Sequence, residues 1–540
     1  MRQPRHVVSD GARLGHLVAI AALRLAILSA PAWIALSLAA CQQTPQVATS
    51  IIVGQAADAL ELDPARITDS ESAQVTEQLF DHLVRYRHDS TEIEPALATA
   101  WDVSADGRIW TFHLRRGVTF HDGTPFSADA VVFSLDRQRD PHHPYHLPDF
   151  AYWETTFRNI QSVEKVDSLT VRITIERPYA PFLSNLAMFP VSIVSPAAVK
   201  RWGHDFAKHP VGTGPFRFVE WSVGERITLE ANPSYWDGPP KIKNLVFSVI
   251  RDARQRLVAL EGGAIDVAAN LSPQDLQFVA LHPDLELHRT PGTNIGYLAM
   301  NTQHKPFDDI RVRRAVNYAV NKAAIVKLIY QGLAEEATTA VPPSMWGHEP
   351  GPAYAFDPAR ARRLLAEAGW KQPTRRPRLY TMDNPRPYMP SPETVARIIQ
   401  HNLHDVGMDV EIVSNDMDGH LHAVQRGEHD MCLLGWSADN GDPDNFLYML
   451  FDSDNAEVGN ARNVAFYKNA ELHGILTWAQ ESADQRERER FYRRAQDLIG
   501  SEAPWVPLAH AEVVVASRTS VGGLLVHPSS LLFFQRAFQR

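Results

Sequence analysis

The stretch Ile93-Glu-Pro-Ala-Leu-Ala-Thr-Ala-Trp101-Asp-Val-Ser-Ala-Asp106-Gly107-Arg-Ile-Trp110-Thr-Phe-His-Leu114-Arg-Arg-Gly117-Val-Thr-Phe-His121-Asp122-Gly123-Thr-Pro125-Phe126 is where the fold of this chain is most legible. Trp110 to Leu114 alternates apolar and polar side chains, as a half-buried strand does. Asp106-Gly107 and Asp122-Gly123 sit between strand-like runs, and such pairs favour tight turns. Behind Ser127 the spacing changes, and Ala128 to Asp136 reads as a helix. Outward from here the two periods keep interleaving. Ile51-Ile52-Val53 reads as a buried strand, and Ala73 to Tyr86 as a helix. Thr170 to Ile175 and Arg226 to Leu229 alternate. Arg311 to Gln331 is the strongest helical run, with Val312, Ala315, Val316, Ala319 and Val320 on one side. Asp357 to Gly369, Glu393 to Val406 and Arg486 to Ile499 are further helices. Strands and helices interleaved on this scale predict a several-layered α/β or α+β protein. The chain has 540 residues, beyond the roughly 250–300 that one core sustains, so at least two domains are expected.

Composition narrows the function. Hydrophobic residues make up 44% and charged residues 21%, an ordinary globular balance. Net charge is −10, while the first 41 residues carry four arginines against one aspartate. Removing that segment leaves about −13, a poor surface for nucleic acid, whose binding rests on basic faces. Two cysteines, Cys41 and Cys432, exclude a disulfide scaffold and any multi-cysteine metal site. Arg2, Arg5, Arg13 and Arg24 precede an apolar run from Leu25 to Ala40. The run is shorter than the about 20 residues of a membrane span, and with its basic leader it reads as a secretory signal. Leu38-Ala-Ala-Cys41 resembles a bacterial lipobox, which implies cleavage after residue 40, lipidation of Cys41 and a polar tether over 41–50. An ordinary signal with an incidental cysteine is the plainer reading.

Catalytic signatures are missing. There is no phosphate loop, no Gly-x-Ser-x-Gly elbow and no His-Glu-x-x-His helix. Gly212-Thr-Gly214-Pro215-Phe216 lacks the third glycine of a dinucleotide fingerprint. Its glycines read as turn or hinge backbone. Twenty-three histidines include two groups, His142, His143 and His146, then His420, His422 and His429. Imidazole suits divalent metals, but a histidine-rich loop is the expectation for both, with no metal and no cofactor assigned.

Several segments together resemble the extracytoplasmic solute-binding proteins of peptide ABC importers (family 5), and within them the dipeptide-binding branch. Ile93–Phe126 is similar to the family signature. Pro210-Val-Gly-Thr-Gly-Pro-Phe216 with Asn232-Pro-Ser-Tyr-Trp236 is similar to a second block. Gly296-Tyr-Leu-Ala-Met-Asn301, Pro306-Phe-Asp-Asp309 and Val312-Arg-Arg-Ala-Val316 are similar to a third. Gly435-Trp-Ser-Ala-Asp439-Asn-Gly-Asp442-Pro-Asp444-Asn-Phe446 is similar to the cleft segment of dipeptide-binding members. The resemblance implies an α/β periplasmic-binding-protein type II fold, with two hinged lobes and an inserted extra domain. Domain I would be 51–82 with 211–300 and 507–540, domain II 83–210, and domain III 301–506. Ligand would be enclosed between I and III by hinge closure.

The resemblance also implies a site. A free dipeptide carries an ammonium and a carboxylate about 7 Å apart at most, and buried charges need partners. Asp439 takes the place of the aspartate that meets the ammonium. Arg386, in Pro385-Arg-Pro-Tyr388, takes that of the arginine whose planar fork meets the carboxylate. Gly435, Trp436 and Ser437 would bind the peptide backbone as an added strand, Tyr388 would line the cavity, and Asp69 to Ser72, with Ser70 and Ser72, would face it. Plainer readings stand beside these: Asp439 as a turn cap, Arg386 as a surface arginine, Trp436 and Tyr388 as core aromatics. Asp442 and Asp444 read as turn formers. Phe451-Asp-Ser-Asp-Asn-Ala-Glu-Val lacks the cysteine pair that dipeptide-binding relatives often carry there. The implied protein is not an enzyme. It is a monomeric, lipid-anchored periplasmic or cell-envelope receptor for short peptides, above all dipeptides. It would deliver them to an inner-membrane permease with its ATPase subunits, without contact with nucleic acid. Oligopeptides, antimicrobial peptides, haem, glutathione or a metal complex are alternatives on the same fold. A secreted hydrolase and a non-transporting interaction protein are alternatives from other classes.

Overall fold

The structure, a computed structural model, describes residues 49–352 and 354–540. The signal segment, Cys41 and most of the tether lie outside the described residues. Among those described, no helix is long and apolar enough to cross a membrane.

A twelve-stranded mixed sheet organises the molecule. Its backbone runs Glu411–Asn415, Arg378–Met382, Met431–Ser437, Asn294–Met300, Trp505–Arg518, Val267–Ala268, Ser50–Gln55, Asn244–Val249, Arg226–Ala231, Phe216–Ser222. Trp505–Arg518 holds two lobes together. Its first half pairs with Asn294–Met300 and its second with Leu285–Pro291 and Val267–Ala268. The side chains of Ile295, Leu298, Val506 and Leu508 pack into the second lobe's core. The chain passes from one set of partners to the other at residues 291–294 and 509–512. Asn294 ties the two crossing strands. Its Nδ2 donates to the Ala511 carbonyl (2.8 Å), and its Oδ1 accepts from the Ala511 amide (2.9 Å).

An inserted unit carries its own antiparallel sheet, in the order Ala98–Val103, Ile109–Leu114, Thr170–Ile175, Ile160–Asp167, with the helix Ala128–Arg139 against it. Trp110, Phe112, Val171 and Ile173 fill its core from the alternate positions read in the sequence. Gly107 and Gly123 close their turns at φ +70° and +82°, conformations that side-chain-bearing residues resist. Arg137 of that helix forms a buried ion pair with Asp63 (2.9 and 2.5 Å), fastening the inserted unit to the first lobe.

Two long helical readings break. The helix expected through Tyr86 spans Ser70–Leu79, and Val84–Tyr86 is a strand. Gly214 N–H donates to the Leu79 carbonyl (3.0 Å), and a Cβ on Gly212 would sit 2.2 Å from that oxygen. Neither glycine has positive φ, so they act through close approach, not as a hinge. The run from Arg311 ends as a helix at Ala319. Val320 is extended, and Asn321 caps a new short helix, accepting from the Ala324 amide (3.0 Å).

Candidate functional site

The cleft strand Met431–Ser437 pairs with Asn294–Met300 along its whole length, but with Arg378–Met382 only at Met431 and Cys432. Beyond Cys432 its other edge has no strand partner among the described residues. The chain leaving Arg378–Met382 instead curls over it as the segment Arg386–Met389. Two backbone bonds close that turn, from the Arg386 amide to the Met389 carbonyl (3.1 Å) and from the Met389 amide back to Arg386 (2.9 Å).

Paired glycines explain how the turn lies so close. Gly296 is opposite Gly435 in the ladder. A Cβ on Gly435 would meet Tyr388 Cδ2 at 2.1 Å, and one on Gly296 would meet the Tyr388 carbonyl at 2.6 Å. The bare backbone is a floor for the buried Tyr388. Tyr330 O–H donates to that same carbonyl (2.7 Å) and fixes it from below. Burial pushes the Tyr388 phenol up to about 12, partly opposed by the positive charge of Arg386. Arg386 is half-buried, and its Nε is shut off from solvent without a hydrogen-bond partner. It joins no ion pair among the described residues.

Asp439 lies at the other end of the segment, just past Ser437. Its amide donates to Asn445 Oδ1 (3.1 Å), which also accepts from Trp436 Nε1 (2.8 Å). Asn445 Nδ2 and Tyr152 O–H each approach the carboxylate at 3.5 Å. Asp439 is open to cleft water yet walled by protein. That desolvation raises its pKa, while Asn445, Tyr152 and the charge of Arg462 pull the other way. It has no ion-pair partner within 4 Å among the described residues. One unpaired carboxylate and one half-buried, unpaired guanidinium therefore accompany a free strand edge. That is the arrangement a zwitterion in extended conformation would complete.

The loop after Asp439 is clasped by the inserted unit. Gly441 N–H donates to Tyr86 Oη (2.9 Å), Asn440 Nδ2 to Asn185 Oδ1 (2.5 Å) and Tyr179 O–H to Asp444 (3.3 Å). The Ala180 amide donates to the Gln480 carbonyl (2.6 Å). These bonds fasten the second lobe to the inserted unit. Asp442 and Asp444 hold that loop. Asp442 accepts from the Asp444 amide (3.0 Å) and from the buried Arg488 (2.7 Å).

The expected residues do not all meet. Gly435, Trp436, Tyr388, Arg386 and Asp439 gather around the free edge. Ser437 is exposed at the strand end. Ser70 is exposed and bonds to Glu71 (2.8 Å). Ser72 is fully buried, and its hydroxyl accepts from the Leu60 and Glu61 amides (2.8 and 3.1 Å). It braces the helix start through these bonds. His420 and His429 are buried on the carbonyls of Leu433 and Val464. His142 is exposed in its loop. Cys432 is buried and free. Sequence reading missed Tyr152, Tyr86 and Asn445. The first two come from the inserted unit, with no local pattern to single them out.

The model of the bacterial extracellular solute-binding proteins, family 5 Middle, matches residues 92–457. The chain is 37% identical to the dipeptide-binding protein of Escherichia coli (strain K12), over 83% of this chain and 87% of that one. It is 36% identical to heme-binding protein A of Haemophilus influenzae, over 84% and 85%. Among solved structures it resembles an ABC transporter-associated periplasmic binding protein, DppA from Helicobacter pylori in complex with peptide STSA. That match has a TM-score of 0.75 and 34% identity, covering 91% of this chain and 98% of that one. With a matching model across most of its length, two lobes around a free strand edge and relatives that span it nearly end to end, the chain belongs to the bacterial extracellular solute-binding proteins of family 5.

Proposed function

We propose that this protein is the substrate-binding component of an ABC importer, capturing short peptides, above all dipeptides, between its lobes and delivering them to a membrane permease and its ATPase subunits. One observation carries the reading: among the described residues, Asp439 and Arg386 are opposite charges without ion-pair partners, in segments beside a strand edge that no other strand pairs. The ligand ammonium meets Asp439, the carboxylate meets Arg386, and the backbone extends along Gly435, Trp436 and Ser437. A fixed Arg386 selects length, because each added residue moves the carboxylate by about 3.5 Å. The relatives named for dipeptide binding support this ligand class. The protein acts as a monomer, held at the cell envelope by a lipid on Cys41.

Thermal unfolding of ligand-stripped protein tests the reading with free, N-acetylated and C-amidated dipeptides, a matched tripeptide and haemin. A ligand at 100 times its Kd stabilises by about 2.7 kcal/mol. Stabilisation by the free dipeptide alone is expected. No response to any peptide refutes the assignment, and a response to haemin alone replaces it.

A further inference from the structure

The loop after Phe451 is tightly anchored although it has no cysteines. Asn463 is fully buried and donates to the carbonyls of Asp452 (3.1 Å) and Tyr467 (2.8 Å). The amides of Arg462 and Asn463 both donate to the Asn455 carbonyl (3.0 and 2.9 Å). Ala461, on the other side, is also buried. Between these two buried residues stands Arg462, exposed. Its guanidinium lies 5.9 Å from the Trp436 ring centre. Its side chain makes no hydrogen bond or ion pair among the described residues. The charge is nevertheless felt at the site. Burial raises both the Asp439 carboxyl and the Tyr152 phenol, and Arg462 draws both back down.

This places a guanidinium over Trp436, near the Asp439 carboxylate that would meet a ligand's ammonium. The side chain of the ligand's first residue leaves from the carbon that bears the ammonium, so it starts next to Asp439. Building on the proposed dipeptide site, we propose that Arg462 sets the specificity for the first residue, favouring peptides whose first side chain is a carboxylate, aspartate or glutamate, and disfavouring those with a cationic one. Arginine suits the task, because its fork takes a carboxylate through two parallel bonds. The same charge repels lysine or arginine at that position.

Calorimetric titration of the full, ligand-stripped protein with Glu-Ala, Ala-Ala and Lys-Ala, before and after Arg462→Gln, tests this. Arg462→Gln is expected to weaken Glu-Ala about tenfold. It should leave Ala-Ala within about twofold and tighten Lys-Ala by a few-fold. Arg462→Lys should keep part of the Glu-Ala preference. Both variants should remain folded, with Arg462→Lys unfolding nearer the wild-type temperature than Arg462→Gln, which gives up the charge beside Trp436 and Asp439. A common factor for all three peptides overturns the role of Arg462 and leaves the dipeptide site standing. Failure of wild-type protein to bind even Ala-Ala overturns the site and this inference with it.

Discussion

Replacing Asp439 by asparagine separates the role of its charge from that of its shape. The amide is nearly isosteric, and the backbone bond from the residue 439 amide to Asn445 Oδ1 (3.1 Å) is untouched; of the two side-chain donors, Asn445 Nδ2 and Tyr152 O–H, one still faces an oxygen. What is lost is the negative charge. The two side-chain neighbours, Asn445 and Tyr152, are neutral and long at 3.5 Å, and the Arg462 charge acts from farther off, so a ligand ammonium would be the first counter-ion in direct contact. A hydrogen bond to a charged group contributes about 1.5–3 kcal/mol, and truncating one partner of a desolvated pair costs 2–5 kcal/mol or more. Asp439 remains open to cleft water, which selects the lower part of that range. The expected loss is about 2–3 kcal/mol, or roughly 30- to 150-fold in Kd. Calorimetric titration with a free dipeptide measures it. N-acetylation of the peptide should weaken wild type by a similar factor and leave Asp439→Asn nearly indifferent, as a double-mutant cycle requires. Folding gives a further check. Burial raises the Asp439 pKa, so the ionised carboxylate is disfavoured in the folded protein and the neutral amide relieves that cost. The unliganded variant should unfold at or above the wild-type temperature at pH 7.5. Binding by the variant within threefold of wild type would refute the ammonium assignment.

Arg386→Gln should weaken free dipeptides by about 2 kcal/mol and erase the preference for a free over an amidated C-terminus; an unchanged preference in a calorimetric titration would place the carboxylate elsewhere. Gly435→Ala puts a methyl 2.1 Å from Tyr388 Cδ2, so it should destabilise by about 1–3 kcal/mol and weaken binding as Tyr388 shifts. Unfolding at the wild-type temperature would show that the turn is not seated on that glycine. Burial, reinforced by the charge of Asp442 and opposed by Arg488, raises the Asp444 carboxyl to about 7. The unfolded chain releases this proton near pH 4 and the folded chain near pH 7, so stability falls as pH rises between those values. Asp444→Asn removes that slope. Its unfolding temperature relative to wild type should climb from pH 4.5 to 7.5, and a constant difference would contradict the raised pKa.

Local pattern made much of this protein legible. Alternation in Thr170 to Ile175 became the strand it predicted, because a pleated backbone sends every second side chain into the core. Gly107 and Gly123 adopt the positive φ that their Asp-Gly turns anticipated. Asp439 and Arg386 stood out as charges in segments with a family likeness, and neither has an ion-pair partner among the described residues. Other features have no local signature. The helix from Ser70 ends at Leu79 because Gly214, 135 residues later, takes its last carbonyl. The Ser72 hydroxyl, in a segment expected to face the ligand, accepts from the Leu60 and Glu61 amides. Gly296 and Gly435 matter because the ladder sets them opposite each other beneath Tyr388. Tyr152 reaches Asp439 across 287 residues of chain. Periodicity, turns and the charges available to a ligand can be read along the chain, because backbone geometry and solvation set them within a few residues. Which of those charges lie near one another, and which glycine, serine or tyrosine supports them, depends on how distant segments pack and has no local signature.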